Sequence, residues 1–274
     1  PPIVFRESSS TLVSSNAHII NWNDEIGHQI EINKKFSDHF TIQTNTSFSY
    51  RHPKEGSANI SFMDILQMDE ESNIHNRYPF RQTYLEASGW LYNDNIYYKV
   101  GVDQFDDFKM NGNNPFSVSA VTIPSIFTFK LSGNESATIY VEYQEREEIN
   151  YITEEDITKI SLIDNFFDSY FSFTINYSLF SLTLFHRQEL YQGKWGAYWN
   201  DLVEGDWEDV DGPVANTGNT EIWNGLDMTY KVNTSTQISI FAGSQKGGLI
   251  CANGICAEQP GFEDGYKITF RSLF

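Results

Sequence analysis

The feature that most constrains the fold is an alternation of apolar and polar residues that recurs along the chain. In the clearest stretch, Phe171, Phe173 and Ile175 alternate with Ser172 and Thr174. Successive side chains of a β-strand point to opposite faces, whereas a helix would repeat about every 3.6 residues. The pattern therefore predicts an all-β protein whose strands are apolar on one face and polar on the other.

Eleven such segments follow one another as five hairpins and a final single strand. The paired segments are residues 30–32 with 40–50, 85–91 with 96–102, 125–131 with 139–143, 171–177 with 180–184, and 222–230 with 238–242, and the last strand is 266–274. Connections within a pair are short and rich in Asn, Asp, Ser and Gly, as tight turns require. Long connections are predicted between pairs, at residues 51–81, 103–120, 146–165, 189–219 and 245–265.

This regular change between short and long connections predicts a transmembrane antiparallel up-and-down β-barrel. Outer-membrane barrels have short periplasmic turns, long extracellular loops and strands of about 9–11 residues. A soluble β-sandwich is the alternative, but it would have to bury every aromatic residue of the stripes between two sheets. We expect residues 1–274 to form one barrel domain of about 12 strands, without a separate soluble domain.

The polar faces of the predicted strands would line the interior of this barrel, where charges can pair or contact water. The predicted lumen-lining residues are Glu86, Lys99, Glu142, Arg187, Asp227, Lys231, Lys267 and Arg271. In a soluble sandwich the same residues would form the solvated outer face. The two interpretations differ in which face of the strands is buried.

The charge balance argues against nucleic acid as a partner. The chain has 18 Lys and Arg residues against 37 Asp and Glu residues, a net charge of -19, and nucleic-acid binding depends on basic groups that neutralise phosphates. The densest acidic run contains the weak calcium candidates Asp206, Glu208, Asp209 and Asp211. Its spacing does not fit an EF-hand loop, so a solvated loop is the favoured interpretation and no cofactor is expected.

Cys251 and Cys256 are the only cysteines, and they lie in a glycine-rich segment. A zinc site would need further ligands, and no histidine is nearby. Catalytic thiols are usually spaced C-x-x-C beside a helix. A local disulfide in an oxidising compartment is the favoured interpretation.

Nothing in the sequence indicates an enzyme. The six histidines are scattered, and neither G-x-S-x-G nor H-E-x-x-H occurs. We therefore expect no catalytic residues.

The last strand carries a recognisable pattern, with apolar Tyr266, Ile268 and Phe270 at alternate positions before the terminal Phe274. It resembles the C-terminal signal of bacterial outer-membrane proteins, although Ser272 departs from the usual apolar residue. The resemblance implies a place in the outer membrane of a Gram-negative bacterium. It also implies the lipid bilayer and the barrel-assembly machinery as partners.

A second resemblance involves residues 243–256, which read GSQKGGLICANGIC. This segment is similar to the end of a family of uncharacterised Bacteroidota outer-membrane barrels with the pattern G-x-Q-[KR]-G-G-L-x-C-x-x-G-x-C. Residues 1–7 and 23–27 resemble a mid-chain stretch of those proteins. The likeness implies the C-terminal portion of a longer barrel, and it implies no activity.

Two functions fit these observations. The first is a channel or porin-like protein for a solute. The second is a structural or interaction subunit of an outer-membrane complex, with a plugged lumen and other outer-membrane proteins as partners. Because barrels normally have an even number of strands, we expect a twelfth strand from residues 3–7 or 11–20, or else a separate N-terminal piece of the barrel.

Overall fold

The structure is a computed structural model that describes residues 10–14, 25–37, 39–51, 80–111, 114–154, 157–194, 217–233, 235–252 and 255–272. In these residues, eleven strands form one sheet, two short strands form a second, and four residues form a helical turn. The predicted all-β meander is confirmed. None of the helices in these ranges is long and apolar enough to cross a membrane.

Each strand of the main sheet pairs antiparallel with its neighbours in the sheet, whose order is β1 to β10 followed by β13. The elements are α1 Thr11–Ser14, β1 Glu25–Ser37, β2 Phe40–Arg51, β3 Phe80–Leu91, β4 Ile96–Asn111, β5 Asn114–Lys130, β6 Ser136–Glu154, β7 Ile157–Tyr177, β8 Phe180–Lys194, β9 Thr217–Lys231, β10 Thr236–Gln245, β11 Gly248–Ala252, β12 Ile255–Gln259 and β13 Phe262–Ser272. β11 and β12 form the separate hairpin.

The predicted short turns join the strands of each hairpin. Between β3 and β4, Tyr92, Asn93 and Asp94 have positive φ angles of 51°, 54° and 64°, and the Asn95 N–H donates to the Tyr92 carbonyl at 3.3 Å. Asn and Asp tolerate this left-handed conformation better than most residues, which explains their presence here.

Two of the predicted long connections are wrong. β4 continues to Asn111 and β5 begins at Asn114, while β6 continues to Glu154 and β7 begins at Ile157. Apolar and polar residues still alternate in these parts, but they have exchanged faces. The apolar Phe105 is buried, whereas the polar Gln104 and Asp106 are exposed. A search for one continuous apolar stripe therefore ends the strands too early. The predicted connections at residues 51–81 and 189–219 lie largely outside the described residues.

The two faces of the main sheet differ sharply in chemistry. The outer face carries exposed apolar side chains, among them Leu85, Val102, Ile123, Phe171, Leu184 and Ile222. The inner face carries buried polar side chains, among them Asn45, Gln82, Glu86, Asp103, Glu142, Gln144, Asp168 and Arg187. Phe171 is 43% exposed and Glu142 is 0% exposed. Apolar residues outside and polar residues inside are the arrangement of a transmembrane β-barrel of the outer-membrane type.

The first and last strands of the sheet are its edges in the part of the chain that is described. β1 pairs with β2 and β13 pairs with β10, and the antiparallel order makes β1 and β13 run in the same direction. The outer face of β13 presents Tyr266 (87% exposed), Ile268 (75%) and Phe270 (67%). These are three of the four residues of the predicted C-terminal signal, and Phe274 lies outside the described residues.

The N-terminal segment does not supply the strand expected from residues 11–20 over the part that is described. Thr11–Ser14 form the helical turn α1, which contacts β6, β7 and β11. The N–H groups of Thr11 and Leu12 donate hydrogen bonds to the Glu142 side chain of β6, so these groups are satisfied without joining the sheet.

The outer face of β7 provides a test of the membrane-facing assignment. Phe173 pairs with Ile139 on β6 and Leu184 on β8, so Phe173→Arg places a charge among apolar side chains. We expect a loss of about 2–4 kcal/mol in the free energy of unfolding from lipid vesicles, measured by denaturant titration.

The matched control is Glu145→Arg, which puts the same side chain at an exposed outer-face position that is already charged. This variant should stay within about 0.5 kcal/mol of the unmodified protein. Equal losses for the two variants would contradict the assignment.

Candidate functional site on the inner face

The inner face holds the turn α1 against strand β6. The N–H groups of Thr11 and Leu12 donate to the two carboxylate oxygens of Glu142, at 3.0 Å and 2.7 Å. Gln144 donates from Nε2 to the Leu12 carbonyl at 3.4 Å and to Thr122 Oγ1 at 2.8 Å. Leu12 and Glu142 are both 0% exposed. One carboxylate thus accepts hydrogen bonds from two N–H groups at the start of the turn.

A charged cluster lies beside this contact, on β6, β7 and β8. Arg187 donates from Nε and Nη2 to the two oxygens of Asp168, at 3.3 Å and 3.1 Å. Arg146 approaches the same carboxylate, with Nη1 at 3.6 Å from Oδ2. Asp168 is 1% exposed, and both arginines are 7% exposed. The two-point contact between Arg187 and Asp168 fixes the orientation of both side chains.

The cluster continues through Glu189 to a segment beyond the sheet. Arg146 Nη2 lies 3.3 Å from Glu189 Oε2, and Lys246, between β10 and β11, forms an ion pair with the same oxygen. Lys246 Nζ also lies 5.2 Å from the centre of the Trp223 ring, and the Arg187 guanidinium lies 5.7 Å from it. The segment that begins the β10–β13 connection therefore contacts the inner face.

A second group of paired polar residues lies on β3 and β4. Lys99 Nζ is 2.9 Å from Glu86 Oε2, and the Tyr84 hydroxyl donates to the same oxygen. Gln82 Nε2 donates to Asp103 Oδ2 at 2.7 Å. Because an unpaired buried charge is costly, these contacts stabilise the polar, buried side chains on the inner face of β3 and β4.

The strand register puts the eight predicted lumen-lining residues on the same face of the sheet as the buried polar side chains: Glu86, Lys99, Glu142, Arg187, Asp227, Lys231, Lys267 and Arg271. Glu86 and Lys99 contact each other, and Asp227 accepts a hydrogen bond from Thr229 at 3.1 Å. Glu142 and Arg187 belong to the two adjoining contacts described above. That these residues line a channel stays a prediction.

Sequence reasoning missed four members of the charged cluster. Arg146 and Glu189 fall in segments predicted to be connections, Lys246 lies outside the sheet, and Asp168 comes just before the recognised part of β7. Extending the alternation of Tyr170 and Ser172 by one step would have found Asp168. Nothing in the sequence pairs Lys246 with Glu189.

The two cysteines lie opposite each other on the small hairpin. Cys251 on β11 and Cys256 on β12 are direct partners in the antiparallel register. Such partners have Cα atoms about 4.5–5.5 Å apart, a separation that a disulfide can span. The disulfide stays a prediction, which a thiol assay on unreduced, denatured protein checks.

The weak calcium candidates Asp206, Glu208, Asp209 and Asp211 lie outside the described residues. Across the ranges that the structure describes, no three His, Cys, Asp or Glu side chains are grouped so that they could hold a metal ion.

Comparisons with known proteins yield little. No protein-family model and no curated protein matches the chain. A similar solved structure is that of in vitro folded OmpT, an outer membrane protein of Vibrio cholerae. The two sequences are 10% identical, the match covers 94% of this chain and 92% of that chain, and the TM-score is 0.42.

Asp168 is the carboxylate on which the two arginines converge, so its neutralisation should be costly. We expect Asp168→Asn to lower the free energy of unfolding by about 3–5 kcal/mol, because it leaves buried arginine charge without its partner. Denaturant titration in vesicles measures this loss.

Asp94→Asn is the control, because Asp94 contacts His39 at 3.2 Å while both side chains are more than half exposed. Its cost should stay below about 1 kcal/mol. If Asp168→Asn cost no more than Asp94→Asn, the cluster would not stabilise the inner face.

Proposed function

We propose that this chain is an integral β-barrel of the outer membrane of a Gram-negative bacterium, and that its inner face lines a selective channel for a small polar solute. The observation that carries the proposal is the inverted distribution of side chains, with Leu184 50% exposed outside and Asp168 1% exposed inside. The apolar outer face is suited to contact with lipid, and the polar inner face is suited to line a path for a polar solute.

The inner face suits a polar solute because its charges are held in defined positions. Arg187 and Asp168 fix each other, and Lys99 is fixed by Glu86. Fixed groups of both signs select solutes by charge and hydrogen bonding, as polar linings do in other pores. Because these side chains are already ordered, no conformational entropy is lost in ordering them each time a solute passes.

The turn α1 regulates this path in our proposal. It lies against β6 and β7 on the inner face, and its contact with Glu142 uses two charge-assisted hydrogen bonds. When α1 leaves the inner face, the side chains of Glu142 and Gln144 face the path of the solute. The protein would then alternate between a narrowed and an open state.

Single-channel recording in planar bilayers tests both parts of this proposal. Glu142→Gln removes the charge that holds the Thr11 and Leu12 N–H groups, and a hydrogen bond to a charged group contributes about 1.5–3 kcal/mol. We expect the occupancy ratio of open to narrowed state to rise roughly tenfold or more relative to the unmodified chain.

Glu86→Gln is the matched control, since it removes the same charge from the inner face at a residue that contacts Lys99 and Tyr84. It should change ion selectivity but leave the state occupancy unaltered. If both variants changed the ratio of open to narrowed state equally, Glu142 would not be the residue that holds α1 in place. Absence of conductance in every variant would refute the channel.

A structural or interaction subunit of an outer-membrane complex is the second candidate. The observation that favours it is the number of inner-face charges that already have partners, including Glu189 with both Arg146 and Lys246. A lumen filled by such contacts serves rigidity rather than passage. This candidate predicts a stable protein that conducts in none of the variants above.

We also propose that an odd number of further strands completes the ring between β1 and β13. These two strands run in the same direction, so antiparallel closure cannot pair them directly. Unpaired backbone groups in lipid cost several kcal/mol each, and a further strand would satisfy those of both edges. A second copy in the same membrane orientation would again bring β1 beside a parallel β13.

Spin labels at Ile268 on β13 and, in turn, at Ile30, Ile32 and Phe36 on β1 test this closure. One inserted strand separates the two labelled backbones by about 10 Å, because neighbouring strands are about 4.8 Å apart. The control pair Ile240 and Ile268, which are direct partners, should show the stronger dipolar broadening. Broadening equal to the control at any β1 position would contradict the inserted strand.

A further inference from the structure

A line of aromatic rings crosses the inner face from β6 to β13. The rings of Tyr140, Tyr170, Phe185, Phe241 and Phe262 follow one another with centroid separations of 5.6, 6.1, 5.8 and 5.6 Å. We call these five residues the aromatic track. The five rings belong to β6, β7, β8, β10 and β13, and the step from Phe185 to Phe241 passes over β9, so the track runs across the strands.

The backbone beneath the track makes room for the rings. A Cβ atom at Gly225 on β9 would lie 2.3 Å from the Phe185 ring and 2.6 Å from the Phe241 ring. The two rings therefore lie over the glycine, and their planes are within 19° of parallel. Any other residue at position 225 would push the rings apart, so the sequence at β9 preserves this part of the track.

Hydrogen-bonding groups lie along both sides of the track near Phe185. On one side lies Arg187, two residues after Phe185 on β8, which contacts Asp168. On the other side lies Thr183, two residues before Phe185, whose hydroxyl group is 2.9 Å from that of Thr174. An apolar strip thus lies between a charged pair and a hydroxyl pair.

The track is distinct from the apolar packing found elsewhere on this face. Phe80, Phe105, Val118 and Ala120 on β3, β4 and β5 form a compact cluster and are at most 4% exposed. Four of the five track rings are instead only partly buried, and Phe241 is 8% exposed. Four rings of the track thus keep part of their surface accessible, whereas the rings of the compact cluster do not.

We propose that the aromatic track is a binding site for saccharides. A pyranose presents C–H groups on its ring faces, which pack on the negative face of an aromatic ring, and hydroxyl groups around its edge. The flanking hydroxyl groups and the Arg187 guanidinium can bond that edge. Sites of this kind combine an apolar lining with a few placed polar groups.

The proposal names the solute class of the proposed channel and rests on that function for its role in transport. The turn α1 reaches one end of the track, where the Thr11 N–H donates to the Tyr140 hydroxyl at 3.2 Å. Departure of α1 would expose more of Tyr140, the ring at that end of the track. Saccharide binding and release of the turn are therefore coupled.

Binding of a linear glucose hexasaccharide to the full chain in detergent, measured by calorimetry, tests the site. Phe185→Leu and Phe241→Leu keep apolar bulk but remove the ring, and each should weaken binding roughly tenfold. Phe185→Tyr keeps the ring and should retain the affinity within about threefold. Sorbitol has the hydroxyls without a pyranose face and should not bind.

Phe180→Leu is the control, since Phe180 is 51% exposed and its ring contacts Tyr230 away from the track. Its affinity for the hexasaccharide should equal that of the unmodified chain. Unchanged binding in both track variants, or no binding to the unmodified chain, would overturn the site. A conducting protein that binds no saccharide refutes the track alone, whereas a binding protein that never conducts refutes the channel alone.

Discussion

Hydrogen bonds between neighbouring strands are the constraint on which the rest of this structure depends. A hydrocarbon environment offers no water to backbone groups, so each spanning strand must be paired on both sides. The sheet satisfies this for β2 through β10, because each of these strands pairs with a neighbour on both sides. The outer face must then be apolar, while the inner face, hidden from lipid, is free to carry charge. Among the described strands of the main sheet, only β1 and β13 remain as edges, and their shared direction determines what can pair with them.

The functional features follow from this division of the two faces. Charges such as Arg187 and Asp168 lie where lipid does not reach, and they are held by each other rather than by water. The same protected face accommodates α1, whose N–H groups are satisfied by Glu142. It also accommodates the aromatic track over Gly225. The selection, regulation and saccharide binding that we propose would thus share this one surface.

Much of the fold was predictable from the sequence because the alternation is a local property. The pattern from Phe171 to Ile175 predicts β7, and Asn93 and Asp94 predict the turn after β3. The predicted strand ends were wrong where the outer face becomes polar, as at Gln104 and Asp106. Beyond the apolar part of the outer face, these residues reverse the order of apolar and polar positions along the strand. The site depends on contacts that span long stretches of the chain. Leu12 with Glu142, and Lys246 with Glu189, leave no local signal, so only the structure brings them together.

The central claim is that the two faces of each strand meet lipid and a polar interior. Its most direct test is a scan of single labelled cysteines from Ser181 to Phe185 on β8, in vesicles, in a background with both native cysteines replaced by serine. Fluorescence quenching by lipid-bound bromine should be strong at positions 182 and 184 and weak at 181, 183 and 185. A water-soluble quencher should show no preference for 182 and 184. Quenching by lipid that is uniform along the scan, or strongest at the odd positions, would contradict the account.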